Sequence, residues 1–262
     1  MPTPRILVLR APGTNCDRET AYAFERAGGQ ADLIHINRLL ENPSLLAEYQ
    51  VLCLPGGFSY GDDIAAGRIL ANQIRHHLSE TLQAFKAAEK LILGICNGFQ
   101  VLLKSGVLLP DDPATGPLAT LTWNNSGKYE DRWVHLVTDS SHCVFLQGIA
   151  RMYLPIAHAE GRFVVPDPTR LTQLKNQQQL ALRYCDEQAR VQDTVLPFPV
   201  NPNGSLANVA GVCDETGRVL GLMPHPERYI DPTQHPRWAR GEYRDPGDGL
   251  AIFANAVRYF AA

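Results

Sequence analysis

The sequence predicts an α/β protein whose doubly wound, mostly parallel sheet has flanking helices and an antiparallel edge. Up to about residue 104, short apolar runs that stop at proline or glycine alternate with segments of helical periodicity. Such βα repeats favour parallel pairing, because each helical crossover returns the chain to the same end of the sheet. After residue 118 the apolar runs become shorter and more polar, as in antiparallel strands. We expect one domain, 1–262, since a chain of this length can bury a large core.

The individual elements follow from the same patterns. The parallel part is predicted to have helices over about 65–86 and 98–104, and strands at 5–10, 31–36, 51–54 and 91–95. The second part is predicted to end in a helix over 249–260, and to have strands at 118–122, 133–138, 151–156, 206–212 and 218–223. Segments rich in proline, asparagine or arginine are predicted to be surface loops, at 166–168, 193–204 and 231–248.

Composition and charge narrow the functional class. The formal net charge is −3 and no stretch gathers a block of like charges, so we expect no nucleic acid and no membrane surface as partner. The 6 cysteines form no C-x-x-C pair and several lie in apolar runs, which favours reduced thiols and a cytoplasmic protein. The first residues show no basic and apolar leader, and no apolar segment approaches the ~18 residues of a membrane span. A small molecule or another protein is the expected partner.

One cysteine differs from the others in its surroundings. Cys96 follows the apolar run 91–95 and has Gly94 and Gly98 two residues to either side. The pattern G-x-C-x-G is typical of a nucleophile elbow, where a strand turns sharply into a helix and small neighbours make room for the strained turn residue. The thiol then lies above the sheet at a helix N-terminus, which favours a thiolate. The alternative is an inert cysteine buried at the end of a core strand.

A nucleophilic cysteine needs a base and a group that orients the base. His225 and Glu227 are the candidates, because they follow a predicted strand and the proline between them fixes the backbone. An oxyanion hole could use backbone N–H groups of the turn 55–58, which follows a neighbouring strand, and the N–H of Asn97, the residue after the nucleophile. A structural histidine and an ordinary glycine turn are the alternatives.

A metal site is a second interpretation of the histidines. The chain has two His-x-Glu pairs, His158 with Glu160 and His225 with Glu227, and two histidines with a carboxylate can hold a catalytic iron or zinc ion. That arrangement would leave Cys96 without a role, and we therefore expect no metal. The sequence has neither G-x-x-x-x-G-K-[ST] nor G-x-G-x-x-G, so we expect this chain to bind no cofactor itself.

Two motifs, 94–100 (GICNGFQ) and 224–227 (PHPE), resemble those of the class I, or triad, glutamine amidotransferases. Further segments match that family in the same order: 12–18 (PGTNCDR), 55–62 (PGGFSYGD), 121–126 (LTWNNS), 155–162 (PIAHAEGR) and 201–205 (NPNGS). The resemblance spans most of the chain, from about Ile6 to Arg228. It departs at Ala159, where the family pattern has glycine, and in the long stretch 184–201.

The resemblance implies a glutaminase that works within a multi-subunit ligase of de novo purine synthesis. Cys96 would attack the carboxamide of L-glutamine, His225 would act as acid and base, and Glu227 would orient the histidine. A glutamyl thioester would form and then be hydrolysed. The ammonia would pass to a synthetase subunit, which would hold ATP and Mg, while a small third subunit would assist assembly.

The resemblance also implies roles for residues around the triad. It assigns the oxyanion hole to Gly57 and Asn97, substrate binding to Gly56, Phe58 and Gln100, and the site or the synthetase interface to His158, Glu160 and Arg162. Two rival functions stay open: another thiol hydrolase with a different substrate, and a non-catalytic assembly subunit. The loop 231–248 is a hypothetical partner contact because of its length and its arginines.

Overall fold

The computed structural model describes residues 3–261, which form a large mixed sheet, a small second sheet and surrounding helices. The strands, numbered in chain order, are β1 Arg5–Arg10, β2 Gln30–His35, β3 Val51–Leu54, β4 Leu91–Ile95, β5 Thr120–Thr122, β6 Glu130–Thr138, β7 Arg151–His158, β8 Arg162–Val164, β9 Leu182–Cys185, β10 Val209–Cys213 and β11 Val219–Leu222. The α-helices are α1 Asp17–Arg26, α2 Ile36–Glu41, α3 Arg68–His77, α4 Ser79–Ala87, α5 Asn97–Lys104, α6 Pro168–Asn176 and α7 Leu250–Tyr259.

The large sheet has the strand order β2-β1-β3-β4-β11-β10-β9-β6-β7. The strands from β2 to β11 in this order pair in parallel, and each later pairing is antiparallel. The predicted α/β class, with a parallel sheet and an antiparallel edge, is thereby confirmed. Strands β5 and β8 form the separate antiparallel pair.

The core lies around the central strands. Strands β3 and β4 are buried at every position, which explains why both read as continuous apolar runs rather than as alternating patterns. Helix α5 packs on β3, β4 and β11, while α1 packs on β1 and β2 and also contacts α7. The rings of Phe24 in α1 and Phe253 in α7 meet edge to face, with centroids 4.9 Å apart. This contact joins the closing helix to the first βα unit.

Three sequence expectations need correction. The helical segment 65–86 is two helices, α3 and α4, that meet at Leu78. Helix α6 and strands β8 and β9 were not predicted; the prolines at 166 and 168 indicated a loop, whereas Asp167 caps a helix that begins at Pro168. The segment 193–204 is not wholly a surface loop, since Asn201 and Asn203 are buried.

The buried asparagines explain that last error. Asn201 donates its side-chain amide to the carbonyl of Ser205, and Asn203 donates to the carbonyl of Gly161. These amides satisfy buried backbone groups that no strand or helix satisfies, as buried polar groups require. Within residues 3–261 no helix is long and apolar enough to cross a membrane.

We expect Phe253→Ala to lower the free energy of unfolding by about 3–5 kcal/mol, because it leaves a cavity beside Phe24 in the core. Phe198→Ala is the matched control, since 60% of the Phe198 side chain is exposed. Chemical denaturation followed by circular dichroism measures both variants. Equal losses of stability in the two variants would contradict the assigned position of α7.

Candidate active site

Cys96 occupies a sharp turn between β4 and α5. Its backbone angles are φ 51° and ψ −104°, a left-handed conformation that is unusual for any residue except glycine. A Cβ atom on Gly98 would lie 1.9 Å from the carbonyl oxygen of Leu54, and one on Gly94 would lie 2.5 Å from a methyl carbon of Leu102. Helix α5 can therefore approach the sheet closely only with glycine at both positions, as the elbow pattern predicts.

Neighbouring parallel strands bring the candidate residues to one edge of the sheet. Strand β11 pairs with β4 so that Leu222 lies opposite Ile95, and the Cys96 N–H donates to the Leu222 carbonyl at 2.8 Å. The chain then continues from β11 to His225, whose N–H donates to the carbonyl of Pro155 in β7 at 2.8 Å. On the other side of β4, β3 leads into the turn that contains Gly57. Ligands of open α/β sheets bind at this edge.

His225 and Glu227 form a buried hydrogen-bonded pair. The distance from Nδ1 of His225 to Oε1 of Glu227 is 2.6 Å, and each residue is 1% exposed. Burial alone would lower the pKa of His225, but the Glu227 carboxylate and the Cys96 sulfur outweigh it and raise that pKa well above its ordinary value. Nε2 of His225 has no hydrogen-bond partner within residues 3–261. This nitrogen is therefore available to a group that enters the site.

The two predicted oxyanion donors flank the nucleophile. Gly57 has φ +142°, and Phe58 next to it donates its N–H to the Gly13 carbonyl at 3.0 Å. Asn97 is the first residue of α5, where an N–H has no partner inside the helix. The N–H groups of Gly57 and Asn97 have no acceptor in the described part of the chain. The side-chain oxygen of Asn97 also accepts from the N–H of Ser59 at 3.2 Å, which fixes the Gly57 turn relative to the elbow.

Cys96 borders two small cavities, both of which Gly57, Phe58 and Ala157 also line. The first, of about 40 Å³, is further lined by Asp62, Ala66, Gln100, His158, Ala159 and Glu160. The second, of about 50 Å³, is further lined by Asn15, Cys16, Tyr129, His225 and Arg228. The thiol of Cys96, which borders both cavities, lies 3.7 Å from the Ala157 carbonyl oxygen.

Polar side chains give the first cavity an acidic wall. Gln100 donates to the Glu160 carbonyl at 2.7 Å and accepts from the Asn97 side chain at 3.0 Å, so both ends of its amide bind the protein. The Glu160 carboxylate accepts the N–H of Ala66 at 3.4 Å. Burial raises the pKa of Asp62, and the negative charge of Glu160 adds to that effect.

The other predicted residues take different positions. His158 is buried in the cavity wall with Nδ1 3.2 Å from Oδ1 of Asn124, and burial lowers its pKa to about 3, so the ring is neutral. Arg162 lines neither cavity and pairs with Asn125 on the surface. Gly56 also lines neither cavity, and a Cβ atom on it would lie 2.7 Å from Cε1 of His225. Its substrate role stays a prediction, whereas its small size leaves room for the histidine.

Comparison with known proteins shows the family to which the chain belongs. A family model described as the CobB/CobQ-like glutamine amidotransferase domain matches residues 3–260. The chain belongs to this family. The amidotransferase is 49% identical over 256 residues to phosphoribosylformylglycinamidine synthase subunit PurQ of Dehalococcoides mccartyi, with 97% of each chain covered. It is 41% identical over 268 residues to the PurQ subunit of Methanococcus maripaludis strain C5, with 98% of each chain covered.

A solved structure is similar over the same length. The structure of PurLQS from Thermotoga maritima contains a chain that is 31% identical to the amidotransferase, with a TM-score of 0.72. The match covers 99% of this chain and 100% of that one. The likeness therefore extends beyond the motifs to the whole fold.

Sequence reasoning missed one thiol of the amidotransferase site. Cys16, in the turn between β1 and α1, is buried beside His225, and its sulfur lies 3.2 Å from Nη2 of Arg228. Burial raises the pKa of Cys16 to about 11. Cys16 follows strand β1, which pairs in parallel with β3, so its place at the same edge of the sheet could have indicated that it joins the site. Asp62, Asn124, Tyr129 and Arg228 were also missed, although Asp62 and Asn124 lie within the matching segments 55–62 and 121–126.

The metal interpretation of the two His-x-Glu pairs is not supported by the geometry. Within residues 3–261, the compact group of possible metal-binding side chains consists of Cys16, His225 and Glu227. His158 and Glu160 do not join it, because Nδ1 of His158 faces Asn124 and the Glu160 carboxylate faces the Ala66 N–H. The two motifs therefore contribute to different walls of the site.

We expect a limiting amount of iodoacetamide at neutral pH to alkylate Cys96 before any other cysteine of the amidotransferase. Cys96 borders both cavities and faces His225, whereas the remaining cysteines are 0–3% exposed. Peptide mass spectrometry identifies the modified residue, and Cys185→Ser is the control that should leave the pattern unchanged. Faster labelling of Cys16 would contradict the assignment of the nucleophile.

Proposed function

We propose that this chain is the glutaminase subunit of phosphoribosylformylglycinamidine synthase, with Cys96, His225 and Glu227 as its catalytic triad. The observation that carries the proposal is the strained Cys96 turn beside a buried His225–Glu227 pair. The family gives the substrate class, L-glutamine. The assignment to this particular ligase rests on the name of the D. mccartyi relative, which matches along nearly its whole length.

In the proposed first step, Sγ of Cys96 attacks the carboxamide carbon of glutamine while its proton is held on Nε2 of His225, whose raised pKa favours the protonated ring. The hydrogen bond from Nδ1 to Glu227 holds the ring and stabilises the imidazolium. The former carbonyl oxygen gains negative charge, which the N–H groups of Gly57 and Asn97 can stabilise. Water is largely excluded around the pair, so these electrostatic effects are strong.

In the second step, the tetrahedral intermediate collapses and the C–N bond breaks. His225 gives its proton to the departing nitrogen, which leaves as ammonia, and the glutamyl group stays on Cys96 as a thioester. His225 then takes a proton from water, which attacks the thioester carbon. Glutamate leaves and the Cys96 thiol is restored, so the chain ends the cycle unchanged.

The acidic wall of the first cavity supports an amino-acid substrate. Glu160 and Asp62 line this cavity next to Cys96, and a carboxylate pairs well with the α-ammonium of glutamine. Lys104 lies close to both carboxylates, and burial lowers its pKa. Two carboxylates facing one amine leave the wall with excess negative charge. A thiol hydrolase whose substrate has no cationic group would not benefit from such a wall.

The ammonia is proposed to pass to a synthetase subunit that binds ATP and Mg, with a small third subunit assisting assembly. The absence of a nucleotide-binding signature in this chain supports this division of work. The similar T. maritima chain comes from a structure named PurLQS, which supports assembly with other subunits. The loop 231–248, which has many exposed residues, is a proposed partner contact. Purine synthesis and reduced cysteines favour a cytoplasmic location.

We expect Cys96→Ala to lower the glutaminase rate by at least about 10⁴-fold, because a nucleophile and its base act as a unit. Glutamate release measures this rate in the complex reconstituted with the synthetase. Ammonium chloride should still support ligase turnover by the same complex, since it bypasses the glutaminase site. Unchanged glutaminase activity would contradict the triad, and failure of ammonia to support turnover would contradict the role of this chain as a separate ammonia source.

We expect Glu160→Gln to raise KM for glutamine by about tenfold or more and to change kcat less, since a charged hydrogen bond contributes about 1.5–3 kcal/mol. Steady-state glutaminase kinetics give the two constants. Glu80→Gln, on the exposed surface of α4, is the matched control and should change neither. A fall in kcat at constant KM would contradict a role in holding the amino acid.

A further inference from the structure

We infer that Cys16, His225 and Glu227 form a binding site for a thiophilic divalent cation, Zn²⁺, and that the bound ion switches the glutaminase off. The site is inhibitory and reversible, and it is distinct from the catalytic metal site considered for the two His-x-Glu pairs. Only the loss of activity rests on the proposed function. The binding of the ion rests on the side chains alone.

The three side chains already lie at nearly the right separations. Each offers one ligand atom, and these atoms all lie within 4.8 Å of one another. Tetrahedral zinc, with ligands at about 2.0–2.3 Å, requires ligand atoms roughly 3.3–3.6 Å apart. No pair of ligand atoms therefore has to close by more than about 1.5 Å, while Nδ1 of His225 and Oε1 of Glu227, 2.6 Å apart, must separate by about 1 Å.

One buried oxygen of this group, Oε2 of Glu227, has no hydrogen-bond partner in the described part of the chain, and Glu227 is 1% exposed. A buried carboxylate oxygen without a donor is costly, because it has lost water and gained no hydrogen bond. A cation coordinated by that carboxylate removes the cost. This unsatisfied group, rather than the cysteine, points to a ligand.

The charges of the three side chains and of their neighbours also suit a bound Zn²⁺ ion. Zn²⁺ bound to the Cys16 thiolate, the Glu227 carboxylate and a neutral His225 has no net charge. The Arg228 guanidinium beside Cys16 is already paired with Glu19 at 3.0 Å, so its positive charge is largely balanced. Coordination removes the thiol proton of Cys16 and the proton shared by Nδ1 and Oε1, and both leave to solvent.

Binding of the ion explains inhibition directly. His225 cannot both coordinate zinc with Glu227 and use that pair to accept the Cys96 proton. The second cavity, which borders Cys16, His225 and Cys96 together, lies beside the metal ligands. Glutamine and Zn²⁺ therefore compete for the same histidine, although only zinc requires Cys16.

The first test measures binding without catalysis. The Cys96→Ala chain is titrated with Co²⁺, a spectroscopic substitute for Zn²⁺, and the expected result is one ion per chain with a thiolate-to-cobalt absorption band and tetrahedral d–d bands. The double variant with Cys16→Ala should lose these bands, while the one with Cys185→Ser should keep them. Absence of the bands from Cys96→Ala, or their persistence without Cys16, would overturn the site. Circular dichroism verifies that each variant is folded.

The second test measures inhibition in chains that keep Cys96. Zn²⁺ should inhibit glutamate release by the complex, and a chelator should reverse the effect. Half inhibition of Cys16→Ala, relative to its own uninhibited rate, should require at least about tenfold more Zn²⁺. Changes outside the first shell of a metal site already cost about tenfold in metal affinity, and loss of a direct ligand should cost at least as much. Equal inhibition would place the ion on Cys96 and His225 and overturn the proposal. Because the cobalt test uses no glutamine, failure of the site and failure of the glutaminase assignment are separate results.

Discussion

The parallel pairing of β11 with β4 is the constraint on which the site depends. It places Leu222 opposite Ile95, so the two strands end side by side at one edge of the sheet. Cys96 follows one strand directly, and His225 follows the other after a short turn. The hydrogen bond from the Cys96 N–H to Leu222 fixes Cys96, the proposed nucleophile, to the strand that leads to His225, its proposed base. Residues far apart in the chain thus meet because their strands are neighbours.

The antiparallel part of the sheet completes the site. Strand β7 accepts the His225 N–H at Pro155 and places Ala157 and His158 against the nucleophile. His158 is neutral because burial disfavours its charged form, so its ring adds no positive charge beside His225. The catalytic edge is therefore held on one side by the close packing of α5 on the sheet and on the other by β7. Such rigid support suits a reaction that depends on preorganised donors.

The site contains two thiols with different surroundings. Cys96 lies at the elbow with its sulfur at the border of both cavities, whereas Cys16 is fully buried among His225, Arg228 and the Gly56 backbone. Burial favours the protonated form of Cys16, which is a poor nucleophile. The backbone turn, rather than the residue type, decides which cysteine borders both cavities. The second thiol remains as a potential metal ligand.

The sequence alone determined the parallel βα repeats, the elbow at Cys96 and the candidate pair His225 and Glu227. These features are local. The period of the apolar residues indicates a strand or a helix, and the glycines at 94 and 98 indicate that a helix packs closely on the sheet at a single turn. Only the tertiary structure decided that Cys16 and Asp62 join the site, and that Asn201 and Asn203 are buried. A buried polar residue looks the same in sequence as one in a surface loop. What distinguishes it is a partner brought near by the strand order, and that order is a property of the folded sheet.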